Sequence, residues 1–211
     1  MRNKFIEELD QLSTELVKMG SMCEEGTDIV IKAIKEPHFN EAQLERVVLL
    51  EEESDKQEKK IVSMCLKLIF SQQPVASDLR LISSVLKMIS DLERIADQNL
   101  DIMHLLEESE NIHGIKHDKL NEMAEACAKM LKDSVDSFIR RDATLAKKVY
   151  EEDALIDELF LDVKKEVIRR IGDDEDFSES LIDILMIAKY FERIGDHSVN
   201  IAEWVSFVVG E

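Results

Sequence analysis

Residues 92–102 read LERIADQNLDI and residues 191–201 read FERIGDHSVNI, so that one motif occurs twice in a chain of 211 residues. The two copies lie 99 residues apart (192 − 93), and Glu, Arg, Ile and Asp recur in register. A repeat close to half of the chain length indicates an internal duplication. In each copy two acidic residues are four positions apart, which places both carboxylates on one face of a helix. Like charges in this arrangement repel each other unless a cation lies between them.

The composition is typical of a helical protein with a strongly acidic surface. Two prolines, six glycines, 5% aromatic residues and 35% charged residues favour long α-helices. The formal net charge of −19 repels nucleic-acid phosphates and anionic lipid headgroups, which argues against DNA, RNA or bare membrane as partners. The start of the chain has no signal-peptide pattern, and no run of about twenty apolar residues occurs. We therefore expect a cytoplasmic protein without a membrane span.

The cysteines indicate neither a disulfide framework nor a thiolate zinc site. Cys23, Cys65 and Cys127 are odd in number and far apart, and none belongs to a CxxC pair. We expect all three to be buried as small apolar residues.

Six helices are predicted near residues 4–35, 41–71, 77–109, 117–140, 143–171 and 178–208. The breaks between them lie at Pro37, Pro74, Gly114 and Gly172, and at the polar stretch around Asp142. Apolar residues on the first, third and sixth helices alternate steps of three and four, the spacing of an elongated bundle. The predicted fold is all-α: two tandem three-helix bundles related by internal duplication. The first repeat would span residues 1–113 and the second residues 114–211.

Acidic residues interrupt the predicted apolar stripes of the second and fifth helices. Glu51 and Asp55 follow Val48 on the second helix, and Asp153 and Asp157 occupy matching positions on the fifth, 102 residues later (153 − 51). Charges at such positions are costly to bury unpaired. We therefore expect each of them to have a partner or to reach solvent.

These acids and the repeated motif together predict two groups of carboxylates. If neighbouring helices run antiparallel, the pairs of one repeat meet at similar heights. We name the groups the first acidic cluster, Glu51, Asp55, Glu93 and Asp97, and the second acidic cluster, Asp153, Asp157, Glu192 and Asp196. Hard cations prefer all-oxygen ligands, and iron also accepts carboxylates. Each cluster is predicted to bind a divalent or trivalent cation, with iron, zinc, manganese, magnesium and calcium all open. Secondary candidate ligands are Asp101, Asn200 and His197.

Other interpretations of the same residues remain open. The acids could be solvated helix faces or partners in ion-pair networks, in which Arg94 and Arg193 would act as structural clamps. Gly195 and its counterpart Ala96 are interpreted as positions of close helix approach. Ferritin-like di-iron catalysis would need paired Glu-x-x-His motifs, and the one candidate, Glu110 with His113, is unpaired. We therefore predict a protein that is not an enzyme.

Three long phrases resemble the PhoU family: QQPVASDLRL at 72–81, LERIAD at 92–97 and FERIGDHSVNIAEWV at 191–205. The resemblance covers essentially the whole chain. It implies a cytoplasmic six-helix protein, often a homodimer, that restrains the phosphate-starvation response. Its implied partners are the ATPase subunit of the phosphate ABC transporter and the sensor histidine kinase of the phosphate regulon. Some family members bind metal clusters at these acidic motifs.

The first copy of the motif departs from the family phrase, because Ala96 and Gln98 stand where the family has Gly and His. This departure questions the equivalence of the two clusters but leaves the fold unaffected. The predicted function is a regulatory adaptor of phosphate homeostasis and phosphate transport. The alternative is a metal-dependent carboxylate-bundle enzyme or a metal-storage protein.

Overall fold

The structure, a computed structural model, describes residues 2–72, 74–109, 112, 115–171 and 178–210. Within these residues the chain forms no strand and six α-helices: α1 Arg2–Lys35, α2 Glu41–Gln72, α3 Ala76–Glu108, α4 Asp118–Arg140, α5 Ala143–Ile171 and α6 Ser178–Val209. The all-α fold is confirmed, and each helix ends within two residues of its predicted bounds. None of the described helices combines the length and apolar character needed to cross a membrane. Gly114, Gly172 and the boundary proposed between 113 and 114 lie outside the described residues.

Local caps explain where the helices begin and end. The backbone N–H of Val75 donates to the carboxylate of Asp78 at 3.1 Å, which starts α3 directly after Pro74. At the end of α4, Arg141 adopts the left-handed backbone conformation, with φ 51° and ψ 45°. Asp142 then accepts a hydrogen bond from the backbone N–H of Leu145 at 3.0 Å and begins α5. This pair of caps provides the predicted break that has neither Gly nor Pro.

The helices pack as two three-helix bundles side by side. α1, α2 and α3 contact one another, as do α4, α5 and α6, and the bundles meet where α1 contacts α4 and α3 contacts α6. α3 and α6 run antiparallel, because the Asn200 amide donates to Asp91 near one end of their contact and the pKa of Tyr190, raised by burial, is raised further by the charge of Asp101 near the other. These two pairs exchange under the 99-residue offset (190 − 91 and 200 − 101). A pseudo-twofold axis therefore passes between α3 and α6, and the predicted duplication is confirmed.

The buried stripe of α2 differs from the predicted one. Glu51 and Asp55 are half-buried on its flank and do not interrupt it. The residues that face the core are Val47, Leu50, Ser54, Gln57, Ile61, Cys65 and Leu68. The predicted stripe was wrong because polar Ser54 and Gln57 occupy the centre of the real one. On α5 the predicted interruption is present: Val149 and Ile156 are buried, Asp153 between them is half-buried, and Asp157 beside Ile156 is exposed.

Two cysteines make the same contact in the two repeats. The thiol of Cys23 donates to the backbone carbonyl of Leu92 at 3.1 Å, and that of Cys127 to the carbonyl of Phe191 at 2.7 Å. Leu92 and Phe191 directly precede the glutamates of the repeated motif. The predicted burial of all three cysteines is confirmed, and burial raises the pKa of the Cys65 thiol to about 12. Burial raises the pKa of the other two thiols as well, which keeps them protonated as donors.

Candidate functional site

The first acidic cluster lies where α2 packs against α3. Burial raises the pKa of Glu51, and the negative charges of Asp97 and Asp55 raise it further. Burial also raises the pKa of Glu93, to which the charge of Asp97 adds, and burial raises the pKa of Asp97. The carboxylates of the two helices therefore influence one another, as the spacing predicts.

Arg94 and Lys59 supply positive charge at the edge of the first acidic cluster. Arg94 Nε lies 3.5 Å from Glu93 Oε2, and Arg94 Nη1 lies 3.3 Å from Asp97 Oδ2. Lys59 Nζ donates to Asp55 Oδ2 at 2.6 Å. The two cationic side chains are 62% and 71% exposed, so that solvent screens both contacts. These contacts match the clamp role predicted for Arg94.

The second acidic cluster repeats this layout between α5 and α6. Burial raises the pKa of Asp153, and Asp157, Asp196 and Glu192 raise it further. Burial likewise raises the pKa of Asp196, and the charge of Glu192 adds to this increase. The predicted partners are thus again within electrostatic reach of one another across the two helices.

A lysine outside the predicted ligand set balances the second acidic cluster. Lys189 Nζ forms an ion pair with Glu192 Oε2 and lies 5.4 Å from the centroid of the Phe160 ring on α5. The Glu192 side chain is only 17% exposed. Arg193, predicted as a clamp, lies instead over the ring of Tyr190 at 5.9 Å. The signal that could have found Lys189 is its position three residues before Glu192, which places both on one helix face.

The secondary candidate ligands take part in contacts between the repeats. His197 Nδ1 lies 2.9 Å from Asp91 Oδ1, and the Asn200 amide donates to the same oxygen at 3.0 Å. At the other end of this interface, burial raises the pKa of Tyr190 and the charge of Asp101 raises it further. Gln98, the counterpart of His197 (197 − 99), is buried, and its Oε1 has no hydrogen-bond partner among the residues that the structure describes. The departure at Gln98 therefore makes the two ends of the α3–α6 contact unequal.

Neither cluster is a preformed coordination sphere. Among the residues that the structure describes, no three His, Cys, Asp or Glu side chains are grouped to hold a metal ion. The oxygen donors nevertheless suit hard cations, and a bound cation would relieve the repulsion that adds to the effect of burial on the pKa of several of these acids. Coordination would require the carboxylate side chains to turn toward a common point. Metal binding at these residues stays a prediction.

Gly195 lies at a close approach of α5 to α6 beside the second acidic cluster. A Cβ atom at this position would lie 3.4 Å from Ile156 Cγ2 and 3.8 Å from Asp153 Oδ1. The counterparts in the first repeat are Ala96 (195 − 99) and Ser54 (156 − 102). In the second repeat the large Ile156 faces a glycine, whereas the corresponding residue in the first repeat is the smaller Ser54. The smaller serine leaves room for the Cβ atom of Ala96.

The PhoU domain family model matches the chain twice, over residues 16–106 and 120–205. The chain belongs to the PhoU family. The two matched PhoU segments start 104 residues apart (120 − 16), the same offset as that between Cys23 and Cys127 (127 − 23). Each match spans parts of three helices that form one bundle.

Relatives of known name align with nearly the whole chain. The phosphate-specific transport system accessory protein PhoU homolog of Clostridium acetobutylicum is 31% identical over 213 residues, which cover 99% of this chain and 95% of the relative. The accessory protein PhoU of Escherichia coli K12 is 30% identical over 208 residues, covering 98% and 85%. The crystal structure of PhoU from Pseudomonas aeruginosa superposes with a TM-score of 0.89 at 27% identity, covering 97% and 98%. The resemblance seen in the sequence is confirmed.

Proposed function

We propose that this protein is a cytoplasmic accessory protein of phosphate-specific transport that acts as an adaptor and catalyses no reaction. The match of both repeats to the PhoU domain is the observation that carries the proposal. Whole-length likeness to relatives that are named accessory proteins of phosphate-specific transport supports it. In this proposal residues 1–113 and 114–211 are the two repeats. No contact in the described part of the chain favours the alternative, an enzyme or metal store, and Glu110 and His113 lie outside that part.

The proposed partners are the ATPase subunit of the phosphate ABC transporter and the sensor histidine kinase of the phosphate regulon. Through them the protein represses the starvation response, and it does so as a homodimer. The net charge of −19 supports docking to basic protein surfaces, because it accelerates their encounter. Phe70, 83% exposed near the end of α2, and Ile168, 62% exposed near the end of α5, offer apolar area for such contacts.

The proposal includes binding of a divalent or trivalent cation at each acidic cluster. Its support is the duplication of the carboxylates, together with the burial and the mutual repulsion that raise the pKa of acids in both clusters. Iron, zinc, manganese, magnesium and calcium are all compatible with carboxylate oxygens. A bound cation would make each cluster a less negative docking surface.

Elemental analysis of protein purified without an affinity tag tests cation binding. An Asp97→Ala, Asp196→Ala double variant should contain less metal than the parent protein. A Glu45→Ala, Glu151→Ala variant is the matched control, since it also removes two carboxylates but from exposed positions outside the clusters. Equal metal content in all three proteins would contradict cation binding at the clusters.

A deletion strain grown in high phosphate tests the regulatory role. Phosphate-starvation genes should stay on in this strain and return to repression when the wild-type gene is restored. A Glu93→Ala, Glu192→Ala variant should complement less well than the control variant with Glu45 and Glu151 replaced. Normal repression in the deletion strain would remove the regulatory proposal. Full complementation by the cluster variant would keep the adaptor role but separate it from these two acids.

A further inference from the structure

The second acidic cluster already has a positive group beside Glu192. The Lys189 ammonium contacts Glu192 on its own helix and lies over the ring of Phe160 on α5. A ring face attracts a cation, and the attraction grows where water is partly excluded. The lysine is therefore held by both helices that supply the acids of this cluster.

The first repeat has neither the lysine nor the aromatic ring at the corresponding positions. The counterpart of Lys189 is Ser90 (189 − 99), and the counterpart of Phe160 is Glu58 (160 − 102). The charge of Glu58 raises the pKa of Glu93, so the exchange adds negative charge where the second repeat has an aromatic ring. The first acidic cluster thus has an additional carboxylate, Glu58, and a serine at the position that corresponds to Lys189.

The cations of the first repeat are held more loosely. Arg94 and Lys59 are 62% and 71% exposed, whereas Lys189 is 42% exposed and pairs with a carboxylate that is 17% exposed. Exposed side chains leave an ion pair at little cost because water replaces the contact. Lys189 gives up a shielded ion pair when it leaves Glu192.

We propose that Lys189 is a tethered cation of the second acidic cluster, which a divalent cation must displace from Glu192 in order to bind there. The inference rests on the proposed binding of cations at the two clusters. Displacement moves the ammonium toward the Phe160 ring and solvent, while Glu192 turns to the incoming ion. The first acidic cluster consequently binds first, and the second binds only at higher concentrations of the same ion.

Titration with Mn²⁺ tests this inference on metal-free protein, with free Mn²⁺ followed by its paramagnetic resonance signal. A Glu93→Gln, Asp97→Asn background disables the first acidic cluster, so that the signal reports the second. In that background Lys189→Met should bind Mn²⁺ at least about tenfold more tightly, because it removes a competing charge at close range. Lys189→Arg keeps the charge and should stay within about threefold of the parent.

The converse change provides the matched control. In an Asp153→Asn, Asp196→Asn background, Ser90→Lys with Glu58→Phe should weaken Mn²⁺ binding at the first acidic cluster by about tenfold. Thermal unfolding by circular dichroism gives a second readout: Lys189→Met should unfold at a lower temperature in chelator and recover when Mn²⁺ is added. If the methionine variant does not fold, Lys189→Gln takes its place in both measurements.

The outcomes separate this inference from the proposed function. Equal Mn²⁺ affinity of Lys189→Met and its parent would overturn the role of Lys189. Binding at the first acidic cluster, with none at the second in either form, would also overturn it but leave cation binding by the protein intact. Absence of Mn²⁺ binding at both clusters in every variant would overturn both proposals.

Discussion

In the first repeat the exposed cations Arg94 and Lys59 contact the acidic cluster from its edge, whereas in the second Lys189 lies against Glu192 and Phe160. The layout of the acids is nevertheless the same, and so is the hydrogen bond from a buried cysteine to the residue before each motif glutamate. The comparison teaches that the duplicated backbone geometry has been retained while the balance of charge has diverged.

The layer beneath the clusters also differs between the repeats. In the first repeat the Asn99 amide donates to Thr27 Oγ1 at 3.1 Å and to the carbonyl of Cys23 at 3.3 Å, with Gly26 leaving room for it. The counterparts of Asn99, Thr27 and Gly26 are Ser198 (99 + 99), Leu131 (27 + 104) and Met130 (26 + 104). The first repeat thus has a large polar residue, Asn99, beside a glycine, whereas the second has a small residue, Ser198, beside a methionine. A hydrogen-bonded Asn–Thr pair therefore fills this layer in the first repeat, whereas Leu131 and Met130 with a small serine occupy the corresponding positions in the second.

The largest expected effect comes from breaking this polar layer. Asn99→Ala should lower the free energy of unfolding by about 2–3 kcal/mol, because it leaves a cavity and removes two buried hydrogen bonds. Ser198→Ala should change it by less than about 0.5 kcal/mol, since the Ser198 hydroxyl donates to the Ile194 carbonyl of its own helix. Urea unfolding measures both values, and equal losses in the two variants would contradict the difference between the repeats.

At the two cysteine contacts, substitution should have the same effect on stability in both repeats. Cys23→Ala and Cys127→Ala should each lower the free energy of unfolding by about 1–2 kcal/mol, through a lost hydrogen bond and a small cavity. Because both thiols are fully buried against equivalent carbonyls, the two losses should match. Chemical unfolding under reducing conditions is the measurement, and clearly unequal losses would show that the cores have diverged at this level too.

Neutralising the motif glutamates should act in opposite directions in chelator at pH 7. Glu93→Gln should raise the free energy of unfolding by about 0.5 kcal/mol, because it removes a half-buried charge beside Asp97. Glu192→Gln should lower it by a similar amount through loss of the Lys189 pair.

The pH dependence of the first effect has a definite sign. The pKa of Glu93 is raised in the native state, so the native protein holds this proton more tightly than the unfolded chain does. Stability therefore falls as the pH rises from the unfolded value of about 4.3 through the raised native value. The gain of Glu93→Gln should be present at pH 7 and vanish below about pH 4 in a series of urea titrations. A gain that persists in acid would contradict this cause.

Effects of at most about 1 kcal/mol should come from exchanging the residues at the close helix approach. Gly195→Ala should raise the free energy of unfolding by up to about 0.5 kcal/mol, since alanine favours helix and its Cβ would meet Ile156 at ordinary contact distance. Ala96→Gly should lower it by about 0.5–1 kcal/mol for the same backbone reason. Thermal unfolding of the two variants makes the comparison, and a destabilised Gly195→Ala protein would mean that Asp153 needs the space.

Much of the fold follows from local signals, and much of the site does not. Helix ends could be predicted because Pro74 and Asp142 act through neighbouring backbone groups, and the duplication could be read from the motif itself. The core face of α2 could not be predicted in this way. Ser54 and Gln57 are buried, so the pattern of apolar residues indicates the wrong face of the helix. The pairing of His197 with Asp91 depends on how two bundles dock, which no local pattern encodes.

The pseudo-twofold axis between α3 and α6 has a consequence for how the two repeats evolve. Two repeats within one chain acquire substitutions independently, whereas in a homodimer of single repeats every substitution would appear in both subunits at once. The lysine at 189 with serine at 90, and the asparagine at 99 with serine at 198, are differences that only a fused pair can carry. Fusion thus lets one half preserve an ancestral task while the other specialises, without any loss of the interface that joins them.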